Sequence, residues 1–355
     1  MKKRILAVGA VLVLTLGLLT ACGGNQNSGN SEEASGEESS VRVAVVINQK
    51  FGDNGPMDDL AEGVARAEKD FDITVKKLES ESAAKFEEDI RAMSADYDLV
   101  ITTFPYMTDA TVLVAGEYPD TNYAAIFQFV NVGDTSIPNI WDTEFHGEQA
   151  FYINGYIAGK MTRSGTVGMI IGGEEPSPNA EGNGFMLGVK AANPNATVEF
   201  AYVGSYEDPA KAKEIASAMI SKGADVLQTD AGASNAGVVE AAKEADILVS
   251  GEITDFWNTH EGFFGVIGIG FGDTAYKAIE MQVNGNFNGG VHGIRDLSNG
   301  GYFMDWETYE RFAEANPDFV PILEEAKALE KKIEAGEVEV PFNTEVPNWE
   351  IISAQ

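Results

Sequence analysis

The sequence predicts an α/β chain of two doubly wound parallel-sheet lobes joined by a hinge. Three observations predict it. Strand-like and helix-like segments alternate from Val41 onward. The same succession of segments occurs twice in the chain. Cys22 is the only cysteine, so no disulfide can staple the fold and a large hydrophobic core has to hold it.

The alternation starts with Val41-Arg-Val-Ala-Val-Val-Ile47, a buried strand by composition. A Gly/Asp/Asn/Pro loop at Gly52 to Pro56 precedes an amphipathic helix over Asp58 to Lys69. Strands follow at Ile73 to Leu78, Tyr97 to Thr102 and Tyr123 to Phe129, with helices at Ala83 to Ser94 and Thr108 to Glu117 between them. The second run opens with a strand at Thr166 to Ile171 and a polar loop over Gly172 to Asn183. It continues through a helix at Phe185 to Ala192, a strand at Val198 to Val203 and a helix at Ala210 to Lys222. Then come Asp225 to Thr229 as strand, Asn235 to Ala245 as helix and Ile247 to Val249 as strand. Strands that alternate with helices imply a parallel sheet covered on both faces.

The two runs match at several positions in the same order. Gly63-Val64 corresponds to Gly188-Val189, Ala92-Met93 to Ala218-Met219, and Asp98-Leu99-Val100 with Thr102 to Asp225-Val226-Leu227 with Thr229. The offset drifts from 125 to 127, as small insertions would make it. One α/β unit is used twice. Ligands of open parallel sheets sit beyond the carboxyl ends of the strands, so two facing lobes would line one cleft with those ends. Hinged closure around a ligand belongs to this architecture.

The first residues read as a processing signal. Lys2, Lys3 and Arg4 form a positive start, Ile5 to Leu19 an apolar stretch, and Leu19-Thr20-Ala21-Cys22 a lipobox whose cysteine is lipidated after cleavage. Residues 1–22 are thus a lipoprotein signal peptide. Residues 23–40, rich in Gly, Ser, Asn and Glu, form a flexible tether. Lobe 1 takes 41–142 and about 255–300, and lobe 2 takes about 143–254 and 301–340. No later apolar run approaches membrane-spanning length, so the folded part is expected to be soluble, and a monomer is expected. A charged amphipathic helix is predicted over Phe319 to Glu334.

The formal charge is −32, and loss of Lys2, Lys3 and Arg4 makes it more negative still. That excludes nucleic acid as a partner, because phosphates demand a basic surface. The catalytic inventory is poor. His146, His260 and His292 lack metal-ligand spacing, and no GxSxG elbow or phosphate-binding Gly-Lys-Ser/Thr loop is present. Gly268-Ile-Gly-Phe-Gly272 has the wrong spacing for a dinucleotide. Glu174, Glu175 and Glu181 after Gly172-Gly173 would repel a phosphate. No catalytic residue, cofactor or metal is expected, and the chain is read as a binding protein rather than an enzyme.

The informative residues are polar and aromatic groups at predicted strand ends: Asp53, Asn54, Phe104, Phe127, Gln128, Asp230, Gly232, Glu252 and Trp257. Carboxylates and amides grip hydroxyls and aromatic faces cover rings, which suits a polyhydroxylated ring compound. Asp53 and Glu252 are the expected hydroxyl acceptors, Phe127 or Trp257 the stacking face, and Gly232 a close backbone contact.

Three blocks carry a resemblance. They are Glu148-Gln-Ala-Phe-Tyr-Ile-Asn-Gly-Tyr-Ile-Ala-Gly159, Gly165-Thr-Val-Gly-Met-Ile-Ile-Gly-Gly173, and Tyr202-Val-Gly-Ser-Tyr-Glu-Asp-Pro209 with Gly223-Ala-Asp-Val226, Ala231-Gly232 and Gly237-Val-Val-Glu-Ala-Ala-Lys243. Over Val41 to Asp305 the chain resembles the basic-membrane-protein family of lipoproteins, the nucleoside-binding subunits of ABC importers. The resemblance implies the two-lobed type I periplasmic-binding-protein fold, a nucleoside-like ligand, a permease partner and a lipid anchor on the extracytoplasmic face of the cell membrane. The pocket departs from the family pattern. Asp53 is kept, but Pro56 stands where an aromatic is usual, Phe127 where an aspartate ends strand four, and Glu252 where a shorter carboxylate is usual. The family's lysine falls near Gly270 and its second aromatic near Glu181. A ligand-sensing or adhesive surface lipoprotein without a transport role is the alternative reading.

Overall fold

A computed structural model describes residues 40–52, 55–80 and 82–354. Cys22, the tether, Asp53 and Asn54 lie outside the described residues.

The first sheet is built from β1 (Val41–Ile47), β2 (Ile73–Glu79), β3 (Leu99–Thr103), β4 (Asn122–Ile126), β5 (Ile140–Phe145) and β11 (Val291–Arg295). Its order is β11-β5-β4-β3-β1-β2, and every pairing is parallel. Helices α1 (Pro56–Asp70), α2 (Phe86–Ser94), α3 (Thr108–Glu117) and α8 (Phe271–Val283) cover it. The second sheet contains β6 (Thr166–Ile171), β7 (Thr197–Tyr202), β8 (Val226–Asp230), β9 (Leu248–Glu252), β10 (Phe263–Ile269) and β12 (Tyr302–Met304). Its order is β12-β10-β9-β8-β6-β7. Helices α4 (Glu148–Met161), α5 (Pro176–Ala192), α6 (Pro209–Ser221), α7 (Asn235–Ala245), α9 (Trp306–Ala315), α10 (Val320–Glu334) and α11 (Trp349–Ala354) complete this half.

The two sheet orders are the same pattern written twice. β6 to β10 occupy the places of β1 to β5, and β12 that of β11. The duplication legible in the residues is therefore a duplication of topology. The one departure is β12, which runs antiparallel to β10. The inner strands are buried on nearly every residue, because helices cover both faces of a parallel sheet.

Three crossovers join the lobes, after β5, β10 and β11. They lie side by side: the His146 amide donates to the Arg295 carbonyl at 2.8 Å, and the Gly270 amide to the Gly301 carbonyl at 2.8 Å. A Cβ on Gly270 would fall 2.0 Å from the Gly300 carbonyl oxygen, so a side chain there would force the strands apart.

Two sequence-based boundaries need correction. The strand Phe263–Ile269 pairs with β9 of the second sheet, although residues from about 255 were expected in lobe 1. The chain returns to the first lobe at α8, which packs on α1. Residues 172–183 are not a polar loop, since α5 starts at Pro176. Ser177, Asn179, Glu181 and Asn183 on this helix are buried. The two asparagines are matched by the C-terminal strap: Asn179 donates to the Thr344 carbonyl at 2.9 Å, and Asn183 to those of Asn343 and Glu345 at 2.8 Å each. Buried donors with fixed partners look like loop residues when read by composition alone.

The crossover helix α4 is also pinned to the middle of two strands of lobe 2. Asn154 donates to Gln228 of β8 and, at 2.8 Å, to Ser250 of β9, and accepts from the Tyr309 hydroxyl at 3.0 Å. The predicted C-terminal helix is α10, and it packs on α4 with Lys160 paired to Glu325 at 2.8 Å. No helix among the described residues is long and apolar enough to cross a membrane.

Candidate ligand site between the lobes

On the first lobe, β3 and β4 end in residues held in left-handed backbone. Phe104 has φ 64° and Phe127 φ 56°. Such conformations cost a bulky residue about 1–3 kcal/mol each and gather where surrounding structure over-determines them, often at functional sites. The Phe104 amide donates to the Ile126 carbonyl at 3.0 Å, and the Phe127 amide to the Thr143 hydroxyl at 3.2 Å. The hooked ends bring the two rings to 5.9 Å between centroids. Phe271, the first residue of α8, lies 5.3 Å from Phe104 and stacks on Phe145 at 4.9 Å. Phe127 meets Phe145 edge-on at 5.7 Å.

The second lobe contributes carboxylates. Asp230 ends β8 and Glu252 ends the neighbouring β9, followed by Ile253 at φ 62°. Glu181 reaches the same place from α5. Carboxylate oxygens of the three lie within 4.8 Å of one another, and all three residues are buried. The Tyr302 hydroxyl donates to Glu181 Oε1 at 2.7 Å. Tyr302 also faces Phe145 at 6.4 Å, which ties the aromatic wall to the acidic one. Burial, reinforced by the charge of Asp230, holds the Glu181 and Glu252 carboxyls well above the usual range. The Asp230 Oδ2 atom has no hydrogen-bond partner.

Tyr206 covers this wall. Its ring sits where a Cβ on Gly172 would be, 2.3 Å from the nearest ring carbon, so the glycine is what lets it lie flat there. Burial and then the charge of Asp230 raise its phenol. Glu148, at the start of α4, is 3% exposed with Oε2 unpartnered, and burial pushes its carboxyl up to about 7.

The structure thus brings Asp230 together with Glu252, and Phe104 with Phe127. Gly232 (φ 57°) lies against the Tyr206 backbone. Gln128 is fully buried in the first lobe, with Nε2 donating to Thr102 at 2.8 Å and Oε1 unpartnered. Trp257 packs elsewhere, under the Arg311 guanidinium at 4.9 Å and edge-on to Phe312. Sequence reasoning read Glu181 as a loop carboxylate and not as a site residue, and passed over Tyr206, Tyr302, Phe145 and Phe271. Tyr206 sits inside a quoted family block, and Pro176 at a first helical position was the available sign that α5 begins early. A surface cavity of about 560 Å³ between α1, α8 and β11 shares none of these residues.

The family's sequence pattern, described as ABC transporter substrate-binding protein PnrA-like, matches residues 40–344. The chain belongs to this family. It is a family of binding proteins, not of enzymes. Basic membrane protein B of Borrelia garinii subsp. bavariensis is 27% identical over 94% of this chain and 96% of its own. A CD4+ T-cell-stimulating antigen of Listeria innocua is 29% identical over 68% of this chain and 69% of its own. Among solved structures, an ABC transporter solute-binding protein from Conexibacter woesei has a TM-score of 0.70 at 23% identity, over 86% of this chain and all of its own. One from Aeropyrum pernix has a TM-score of 0.69 at 22% identity, over 85% of this chain and 94% of its own. These two share the fold. A periplasmic solute-binding protein from Actinobacillus succinogenes with bound D-allose has a TM-score of 0.58 at 14% identity, over 76% of this chain and 99% of its own.

Proposed function

We propose that this PnrA-like protein is the capture subunit of an ABC importer, moored by lipid on Cys22 to the extracytoplasmic face of a membrane. Residues 23–40 serve as its tether. It acts as a monomer. Its lobes close around a small molecule, nucleoside-like by family expectation, and the closed form docks on a permease.

One observation carries the reading. Phe104 and Phe127 from the strand ends of one lobe, and Asp230 and Glu252 from those of the other, belong to one lining joined through Phe145 and Tyr302. Rings and convergent acceptors at the switch end of parallel sheets suit a small ring compound. The site residues of this proposal are therefore Phe104, Phe127, Asp230 and Glu252, with Gly232 as backbone neighbour.

The test is a thermal-shift and calorimetry screen of nucleosides, sugars and other small polar compounds, neutral and amine-bearing, on the purified protein. A ligand at a hundred times its dissociation constant adds about 2.7 kcal/mol of stability. A screen in which no such compound shifts the transition sinks the capture reading. The surface-sensor or adhesin alternative draws support from the Listeria relative named as an antigen. A host gene neighbourhood without a permease and ATPase would favour it. For the anchor, Cys22→Ser should move the protein from membrane to soluble fraction and abolish labelling with an alkyne fatty acid.

A further inference from the structure

The acidic wall is uncompensated. Glu181, Asp230 and Glu252 are 2%, 5% and 7% exposed, and none is ion-paired with a lysine, arginine or histidine among the described residues. The charges acting most strongly on Glu181, Glu252 and Tyr206 are acidic in every case. Carboxylates crowded in a buried place are neutralised by shared protons or by a cation. A second observation concerns acceptors rather than charge. Asp230 Oδ2 and, beyond the trio, Glu148 Oε2 are both buried without a donor. The field of Glu148 reaches Glu181. Tyr302 donates to Glu181 Oε1 at 2.7 Å and Ser177 lies 3.4 Å from the same oxygen, while Asp230 Oδ2 is left to be met by a donor from outside the protein.

A neutral hydroxyl donates one hydrogen bond and cancels no charge. An ammonium or guanidinium brings several donors and a positive charge, and its bonds to carboxylates are the stronger kind. The rings of Phe127, Phe145, Phe271 and Tyr302 continue from the trio as a packed aromatic wall, which suits the apolar body that flanks a cationic centre.

We propose that the small molecule held between the lobes carries a cationic centre, an ammonium or guanidinium, that docks on Glu181, Asp230 and Glu252. This rests on the capture reading above and narrows its substrate class. A ring compound bearing an amine satisfies both walls. Docking expels protons held on Glu181 and Glu252, so binding releases protons and tightens as pH rises.

The experiment uses the full chain and matched probes: adenosine, its analogue with an amine in place of the primary ribose hydroxyl, L-arginine, spermidine, D-allose, and manganese chloride alone. The expected result is that one or more amine-bearing probes bind and their neutral counterparts do not. Calorimetry in buffers of different ionisation enthalpy then returns net proton release near neutral pH. Glu252→Gln and Glu181→Gln should weaken the amine about ten- to a hundredfold, the range of a lost charged hydrogen bond. Their unliganded melting temperatures should hold or rise, which separates lost binding from lost folding. Glu174→Gln, at an exposed position, should change nothing. Equal binding of adenosine to wild type and Glu252→Gln, without proton release, overturns the cationic centre and leaves the capture reading standing. Stabilisation by manganese alone that Glu252→Gln abolishes replaces the organic cation by a metal ion and overturns the proposal. If no probe binds, the capture reading and this inference fall together.

Discussion

The Tyr302 hydroxyl stands 2.7 Å from Glu181 Oε1 and donates to it. This bond joins β12, which follows the third crossover, to α5 of the second lobe. Tyr302 is 3% exposed and Glu181 2%, so neither group has water to fall back on. Tyr302→Phe removes the donor and leaves the acceptor buried. The expected loss is about 1–3 kcal/mol, read as a lower urea midpoint at unchanged slope.

Glu148 gives the stability a pH dependence of known sign. Its carboxyl is pushed from 4.5 to about 7 by burial, so the folded protein holds a proton there that the unfolded chain gives up. The contribution is intact below pH 4.5 and is lost as pH rises through about 7. Glu148→Gln should therefore match wild type near pH 4 and exceed it by up to about 3 kcal/mol at pH 8. Parallel denaturation curves at the two pH values check this, and an unchanged difference would refute it.

His292 gives a dependence of the same sign from a different cause. Burial lowers its pKa, but Asp142 at 2.6 Å and Glu144 at 3.1 Å outweigh that and raise it above 6.5. Its stabilising contribution is full below pH 6.5 and fades as pH climbs through the raised value. Proton NMR should show the imidazole titrating above 6.5. His292→Asn should cost more stability at pH 6 than at pH 9.

Gly270 makes a steric prediction. A Cβ would lie 2.0 Å from the Gly300 carbonyl oxygen, which backbone cannot cede cheaply. Gly270→Ala should destabilise by about 1–3 kcal/mol or more, as overpacking does. Differential scanning calorimetry measures it.

Two aromatic substitutions should part company. Phe127 is in the proposed lining, and Phe127→Ala is expected to weaken ligand binding about tenfold or more, the scale of a lost aromatic contact. Trp257 lies under Arg311, so Trp257→Ala should lower stability and spare affinity. A Trp257→Ala protein that folds but binds poorly would return this residue to the site.

The pattern of hydrophobic residues by itself determined the alternation of strands and helices, the double use of one α/β unit and the strand ends at which Asp230, Glu252, Phe104 and Phe127 stand. Those features follow from local periodicity, which a single chain displays without its partners. The first turns of α5 were not legible, because Asn179 and Asn183 are polar for the sake of carbonyls some 160 residues away. Glu181, hidden in the same stretch, shared that fate. The left-handed backbone at Phe104 and Phe127 was not legible either, since intrinsic preference forbids it and only surrounding contacts impose it. Tertiary structure alone decided that Glu181 joins Asp230 and Glu252, and that Trp257 does not. Charge carries no sequence periodicity, and the place where three carboxylates converge depends on how a helix and two strand ends pack.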